Sequence, residues 1–491
     1  MRITNQMITN TTMRNVNRSK TTMANAENEL STEKKITRPS DDPIVAIKAL
    51  SLRSSLAEID MYLNTNIPAA SAWMQVTEGA LDNMDAILQD VYKYCTQGAS
   101  DEFTEDDRSA IIQVLEQYKD ALYAETNTDY AGRYCFSGYR TESSFTFLDS
   151  EEASSKTYSI TQDFSSDDLV KMDVMTNSVD TETIASISAA DRPESVSVYS
   201  LRLAYDECAD ADYSTVTIDG TSYSTTAVSY ADFQDMVASG TFENSSNQFY
   251  YIYDTGNLAM SNDMYDTVQD AEEISFTYKK EGFEKGEVRP EMYFNCSDIT
   301  DPADPIDYTK AEDGQIISYA INFGQSLQVN TLGCETLSYN IARDIDDMCN
   351  ALQNVQDIET KISKLTEMSE SDLYTDSEKE DIASMLEAAN QELDYAKETM
   401  ENLFSTEMSR VKGYQQTVDL QLADLGSRDT RLTLTKSRLT SQYTTFEDLK
   451  SQNEDVELEE TVIEFSSAQT LYQAALSAAS KCVQQSLLDY I

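Results

Sequence analysis

Apolar positions along the chain follow two different rules, and the switch between them outlines the architecture. Val45, Ala49, Leu52, Leu56, Ile59 and Leu63 alternate steps of four and three; after one extra four-residue step to Ile67, the pattern resumes through Ala70, Met74, Thr77, Leu81, Met84, Leu88 and Val91. A sustained a/d seam with one stutter predicts a long helix packed along another helix. Pro68 stands beside the stutter and predicts a kink there. Upstream, Val16, Met23 and Leu30 repeat every seven residues on an Asn/Thr-rich stretch, a thin seam that is marginal alone because helix nucleation is costly. Between these stretches Pro39 and Pro43 bracket a turn, with Asp42 placed to cap the following helix and Pro43 at its first position.

A further helix opens at Thr104, with Asp107 three residues on as a capping box, runs through Ile111, Leu115, Tyr118 and Leu122, and is expected to stop at Gly132. Tyr134 and Phe136 then alternate between glycines as a strand with one buried face. From about Thr141 to Asn330 the heptads cease. Val216–Tyr223 reads as a hairpin around Asp219-Gly220, and 249–253 and 274–278 as strands, in a mainly β insert of one or two small units. Helical spacing returns after Gly333 through Ile341, Ile345, Met348, Leu352, Ile358, Ile362 and Leu365. Thr375 and Glu378 box the start of a long helix through Ile382, Leu386, Leu393, Met400 and Leu403 to about Leu449. Asn453 is expected to cap the last helix, where Leu458, Val462, Phe465, Gln469, Tyr472, Leu476, Ala479 and Val483 alternate steps of four and three.

The expected fold is mainly α with an inserted β-rich domain: a long antiparallel helical bundle with terminal coiled-coil-forming helices. Its divisions are an N-terminal assembly arm (1–42), half of the bundle (43–140), an acidic insert (141–330), the other half (331–452) and a C-terminal assembly helix (453–491).

Charge changes the picture of partners. In 491 residues, 36 Lys and Arg face 87 Asp and Glu, a formal net charge of −51. Such a surface argues against nucleic acid and anionic lipid. The N-terminal arm alone is basic, with seven basic and five acidic residues in 1–42. No uninterrupted apolar run has the length of a membrane span, so membrane insertion is not expected.

Candidate chemistry is sparse. Histidine is absent, which removes Ser-His and Cys-His nucleophile pairs and His metal ligands. The seven cysteines, at 95, 135, 208, 296, 334, 349 and 482, are widely spaced with no CxxC, and read as small buried residues. Asp206, Asp210 and Asp212, and the run Asp301, Asp304, Asp307 and Asp313-Gly314, have the composition of calcium loops without the EF-hand spacing. No phosphate-cradling glycine loop or G-x-S-x-G appears. No enzyme activity, cofactor or metal is expected.

The terminal seams are the informative feature. A solitary helix of about 30 residues with one narrow stripe does not recover its ordering entropy. The seams therefore pair with each other or with other subunits. Val16, Met23 and Leu30 at one end, and Leu458, Val462, Phe465, Tyr472 and Leu476 at the other, are the expected assembly contacts.

Several segments resemble the flagellin superfamily: Met1-Arg2-Ile3-Thr4, Pro39-Ser40-Asp41-Asp42-Pro43, Gly132-Arg133-Tyr134-Cys135-Phe136-Ser137-Gly138-Tyr139, and the ending Ser486-Leu487-Leu488-Asp489-Tyr490-Ile491. The similarity covers roughly 1–140 and 331–491. Within the superfamily the chain is most like a hook–filament junction subunit. The resemblance implies a structural, extracellular protein of the bacterial flagellum, exported without a cleaved signal. It implies a ring of like subunits between an adjacent hook-associated protein and flagellin, with an export chaperone on the C-terminal helix. The insert is larger than the resemblance leads one to expect, and seven cysteines are unusual for an extracellular flagellar protein. Two rival readings are a filament-forming flagellin and a surface glycan- or cation-binding module on a helical stalk; an acid-pair hydrolase ranks after them.

Overall fold

The computed structural model describes residues 5–98, 104–188, 191–210, 215–310 and 314–488, with side chains described up to Lys481. Met1–Thr4 and Asp489–Ile491 of the resemblance, and Asp212 and Asp313 of the acidic runs, lie outside the described residues. The chain divides into two compact units: 1–70 with 319–327 and 430–491, and 71–318 with 328–429.

Helix α1 (Asn5–Thr32) precedes the double-proline turn. Helix α2 (Pro43–Met61) starts as the sequence requires: the Asp42 side chain accepts from the backbone N–H of Ile44 and Val45, and Pro43 loses nothing by lacking a donor. At the stutter the helix opens into a π turn, Tyr62–Asn66, before α3 (Ile67–Gly98). The extra step is absorbed there by a wider turn in which Ile67 N–H donates back to Tyr62. Pro68 offers no N–H to the carbonyl four residues earlier, so the ladder rearranges locally. The seam itself is buried where expected, from Ile67 through Ala70, Met74, Thr77, Leu81, Met84 and Leu88 to Val91.

Helix α4 (Glu105–Thr126) opens on the expected Thr104/Asp107 box. It stops six residues short of Gly132, a correction to the sequence reading. Asn127 ends it by turning its side chain outward: Oδ1 accepts from Phe145 and Thr146 N–H at 2.9 and 3.1 Å. Gly132 (φ 76°) instead closes the tight hairpin between β1 (Asp129–Tyr130) and β2 (Arg133–Tyr134). The strand expected through Phe136 ends at Tyr134, and Cys135–Ser137 continue as a buried bend.

Ten strands of the insert form one continuous hydrogen-bonded sheet. Its strand order is β12-β11-β3-β10-β6-β7-β8-β9-β5-β4. These are β3 (Thr157–Phe164), β4 (Leu169–Thr176), β5 (Glu194–Arg202), β6 (Thr215–Ile218), β7 (Thr221–Val228), β8 (Phe249–Ile252), β9 (Asn257–Met260), β10 (Ile274–Glu281), β11 (Asn295–Asp298) and β12 (Ile306–Tyr308). All neighbours pair antiparallel except β7 with β8. Asp219 and Gly220, both at positive φ, form the expected β6–β7 turn. Short helices α5 (Ser150–Ser155), α6 (Tyr230–Ala238) and α7 (Tyr265–Gln269) join the strands, and Phe233 and Val237 of α6 pack with Val174, Val198 and Tyr250. A last hairpin, β13 (Ser318–Asn322) and β14 (Gln325–Gln328), returns to the smaller unit. There Asn66 donates to Ala320 O at 2.8 Å and Phe323 meets the Tyr62 ring edge-on.

After the single turn α8 (Gly333–Thr336) come α9 (Asn340–Glu370) and α10 (Asp376–Glu454), with the Thr375/Glu378 box in place. Phe404, Val411, Val418, Leu425, Leu432 and Leu439 are all buried, one every heptad. The helix runs past Leu449 through Asn453. Asn453 is therefore no cap: it lies in the last turn of α10 and donates to Val45 O at 3.0 Å. The final helix, α11 (Leu458–Leu488), starts beyond it.

In the larger unit the insert is anchored to the helices by buried ions. Arg202 of β5 pairs with Asp344 and Asp347 of α9, and Asp344 also accepts from Arg410 and Tyr414 of α10. Glu407, buried beside Asp344, holds its proton up to about pH 8 because burial and the neighbouring carboxylate both disfavour its charge. Glu392 receives Ser178 Oγ at 2.6 Å and Val179 N–H at 3.1 Å, fixing the 177–188 strap across α9 and α10 over Leu365, Ile382 and Met385.

Candidate assembly surface

The smaller unit is organised around a crossing between the two ends of the chain. Glu33 adopts positive φ directly after α1, turning the backbone so that Lys34 bridges Asp455 as a two-residue antiparallel pair. Lys35 N–H donates to Glu454 O at 2.7 Å, and Val456 N–H to Glu33 O at 3.2 Å. Lys34 Nζ pairs with Asp455, which together with the Ser451 hydroxyl holds that carboxyl below its usual range. Glu454, at the centre and 2% exposed, takes two hydrogen bonds from Arg53 of α2. Because α1 ends where α11 begins, the two helices run antiparallel and pack along each other.

Within one chain the two terminal helices pack against each other. On α1, Val16, Met23 and Leu30 are half-buried, with Ala26 buried between them. On α11 the predicted stripe divides. Phe465 and Tyr472 are half-buried, in line with the buried Thr461 and Ala468. Leu458, Val462 and Leu476 remain 50%, 48% and 44% exposed. The buried line is 461, 465, 468, 472, which keeps the four–three rhythm but lies one flank away from the large aliphatics. Thr461 and Ala468, both buried, carry little apolar signal in the sequence, and their small side chains let α1 approach.

Leu458, Val462 and Leu476 thus form an exposed aliphatic stripe on a helix already half-covered. The unit carries a second one, Ile44, Ile47 and Leu50 on α2, beside a small cleft of about 130 Å³ lined by Ile36, Pro39, Leu50 and Arg53.

All six described cysteines are free, and burial pushes their thiols up to about 11 (Cys135, Cys334) or about 12 (Cys95, Cys208, Cys296, Cys349). The Cys482 side chain lies outside the described residues. Asp301 and Asp307 accept from Ala303 N–H and Ser297 Oγ, as turn caps and strand partners do. Among the described residues no group of three or more His, Cys, Asp or Glu is placed to hold a metal. A cleft of about 1020 Å³ in the larger unit is lined by Tyr293, Tyr339, Tyr414, Asp163, Lys310 and Arg410. The Arg410 charge there is already paired with Asp344. Among the described residues no helix is long and apolar enough to cross a membrane.

Residues 3–141 match the family model of the bacterial flagellin N-terminal helical region, and residues 408–491 that of the bacterial flagellin C-terminal helical region. More particularly, over 143 residues it is 30% identical to flagellar hook-associated protein 3 of Salmonella typhimurium and 29% identical to that of Escherichia coli. Each match covers 29% of this chain and 45% of the relative, so the chain spans just under half the length of these curated relatives. The flagellar junction protein of Legionella pneumophila aligns over 84% of this chain and 100% of its own, at 13% identity and a TM-score of 0.31, a likeness too loose to carry an argument. The resemblance drawn from the sequence motifs thus stands.

Proposed function

We propose that this protein is a non-catalytic structural subunit of the bacterial flagellum, joining the hook, through another hook-associated protein, to the flagellin filament. The carrying observation is that pairing α1 with α11 leaves Leu458, Val462 and Leu476 uncovered, a surface an isolated chain has no use for. In this reading the N-terminal arm (1–42) and the C-terminal helix (453–491) pack with like subunits in a closed layer and with the proteins above and below. The acidic insert faces solvent. A chaperone shields the C-terminal helix before export, and the folded product resides outside the cell. The similarity to hook-associated protein 3 supports this reading over a filament-forming flagellin.

Immunogold electron microscopy on intact cells, with antibody to the insert, tests it. Label at a single point between hook and filament is the expected result. Label along the whole filament would make the chain a flagellin, and label confined to the cell body would remove the flagellar reading altogether.

A further inference from the structure

The cleft of about 1020 Å³ is lined wholly by residues of the larger unit. Its size stands at the top of the range of about 300–1,000 Å³ in which small-molecule sites fall. One wall is the outward face of the sheet. Along β3, Tyr158, Ile160, Gln162 and Phe164 are buried, so strand alternation turns Thr161 and Asp163 the other way. Asn295 of β11 pairs with Thr161 and stands on the same face. Its Oδ1 accepts from Lys310 N–H at 2.8 Å, which sets Lys310 beside it. A second wall is α10, where Arg410, Gly413, Tyr414 and Thr417 fall three or four residues apart on one helix face.

The remaining lining is aromatic. Tyr293 and Phe294 meet the Tyr339 ring edge-on, at 5.7 and 5.0 Å between centroids. Tyr293 Oη donates to Leu337 O at 2.8 Å, and Tyr414 Oη donates to Asp344. With those hydroxyls spent inside the protein, both residues offer the cleft ring surface. Tyr339 and Tyr414 are only half-buried, so part of each remains open to a ligand. Gly413 stands in the interior of α10, where glycine is an unfavourable residue. Nothing lies within 4 Å of the place its Cβ would take, so packing within the chain does not require it; its effect is to leave the cleft wide.

The charges lining the cleft balance, Asp163 and Glu335 against Lys310 and Arg410, and so favour neither an anion nor a cation. Among the described residues, the Asp163 carboxylate, Lys310 Nζ and Asn295 Nδ2 have no hydrogen-bond or ion-pair partner. An apolar ligand would take these groups from water and give nothing back. A hydroxyl both donates and accepts, so a polyol serves all three with one kind of group. The C–H faces of a sugar ring also suit aromatic faces, whose π density attracts them.

We propose that this cleft binds a neutral oligosaccharide. Asp163 accepts from its hydroxyls, Asn295 and Lys310 donate to them, and Tyr339 and Tyr414 carry the sugar rings. The site is separate from the assembly surface and does not depend on the flagellar reading.

The test uses the full chain, with cellohexaose, maltohexaose and chitohexaose as neutral probes. Hexagalacturonate and a neutral tyrosine-containing hexapeptide are the competing ligands, and isothermal titration calorimetry reads binding. At least one neutral hexasaccharide should bind with a Kd of about 1 mM or tighter. Its affinity should be the same at about 50 and about 500 mM NaCl, because salt screens only charged pairs. Gly413→Leu fills the cleft and Asp163→Ala removes the acceptor; each should weaken binding by about tenfold or more. Neither change removes a described partner, and unchanged circular dichroism melts should show both variants folded. Gly79→Leu, the same change at an open position of α3 outside the cleft, should bind as wild type does. Bound sugar should also slow labelling of Cys334, which lines the cleft half-buried. Absence of binding by all three neutral probes overturns the proposal, as does tighter binding of hexagalacturonate or the peptide. Undiminished binding by either cleft variant, an equal loss with Gly79→Leu, or labelling of Cys334 at the ligand-free rate overturns it too.

Discussion

Arg53 closes both of its forward N–H groups on Glu454, Nε to Oε1 at 2.7 Å and Nη2 to Oε2 at 2.5 Å, across 401 residues of chain. The pair holds three things at one point: the middle of α2, the end of α10 and the crossover from which α1 and α11 leave. Glu454 is buried while Arg53 is half in solvent, so the carboxylate depends on the guanidinium more than the reverse.

Replacing Glu454 by Gln should therefore release the arms before anything else. The cost should be about 1–3 kcal/mol, the usual range when a buried charged hydrogen bond is lost. Hydrogen exchange should accelerate over α1 and α11 and stay unchanged in the insert sheet. Uniform acceleration across the chain would mean that Glu454 supports the whole fold rather than the arms.

Removing residues 453–491 strips α1 of its partner together with Glu454 and Asp455. Alone, a helix with the thin Val16/Met23/Leu30 seam is marginal. The truncated chain should be monomeric, lose α1 helicity, keep the β signal of the insert, and fail to support filament growth in a strain lacking the full chain. Filament growth at the normal level would refute the assembly role of the arms.

The divided stripe on α11 separates stability from assembly. Ala468→Leu should push α1 away and cost about 1–3 kcal/mol, as overpacking of a close contact does. Leu458→Ser, Val462→Ser and Leu476→Ser act on exposed side chains and should each change stability by less than about 0.5 kcal/mol. The triple serine variant should nevertheless assemble poorly. Thermal melts with a filament-growth assay read both effects, and a triple variant that melts early would place these residues inside the fold instead.

The buried node under the insert should respond to pH through Glu407. Its proton is held in the folded state up to about pH 8, against an ordinary value of 4.5. Between those values the folded chain binds more protons than the unfolded one, so its stability falls as pH rises through that window and levels off above it. The groups facing Glu407 are Asp344, Arg202, Arg410 and Cys95, with Tyr414 beyond Asp344. Glu407→Gln should flatten the slope of denaturation midpoint against pH. An unchanged slope would assign the window to other groups.

Six of the thiols should react slowly. With their values lifted to about 11 or 12, Cys95, Cys135, Cys208, Cys296, Cys334 and Cys349 carry little thiolate at neutral pH. An aromatic disulfide reagent should label the five buried ones only at the rate of unfolding and the half-buried Cys334 ahead of them, with peptide mapping to identify each site. Rapid labelling of Cys95, Cys135, Cys208, Cys296 or Cys349 in the native chain would contradict its burial.

Local grammar was fully legible where one short-range rule sufficed. Asp42-Pro43, Thr104/Asp107 and Thr375/Glu378 open helices because their caps act within three residues. Asp219-Gly220 turns because both residues accept positive φ. The seam from Ile67 to Val91 is buried because heptad spacing leaves one face of a helix no alternative. The misreadings share a cause. Gly132 did not end α4 and Asn453 did not cap α11, because in each case a distant partner, Phe145 and Thr146 for Asn127 or Val45 for Asn453, decided where the local signal was spent.

The sequence by itself determined that long helices flank an acidic β insert, that the ends carry incomplete apolar stripes, and that histidine-based chemistry is absent, since periodicity and composition are properties of the chain alone. Only the tertiary structure decided what the stripes meet. Which flank of α11 turns to α1 depends on the small residues Thr461 and Ala468 and on the register set by Lys34 and Asp455, a pairing of positions 421 residues apart. Long-range register is a property of packing, and it leaves Phe465 and Tyr472 half-covered and Leu458, Val462 and Leu476 exposed.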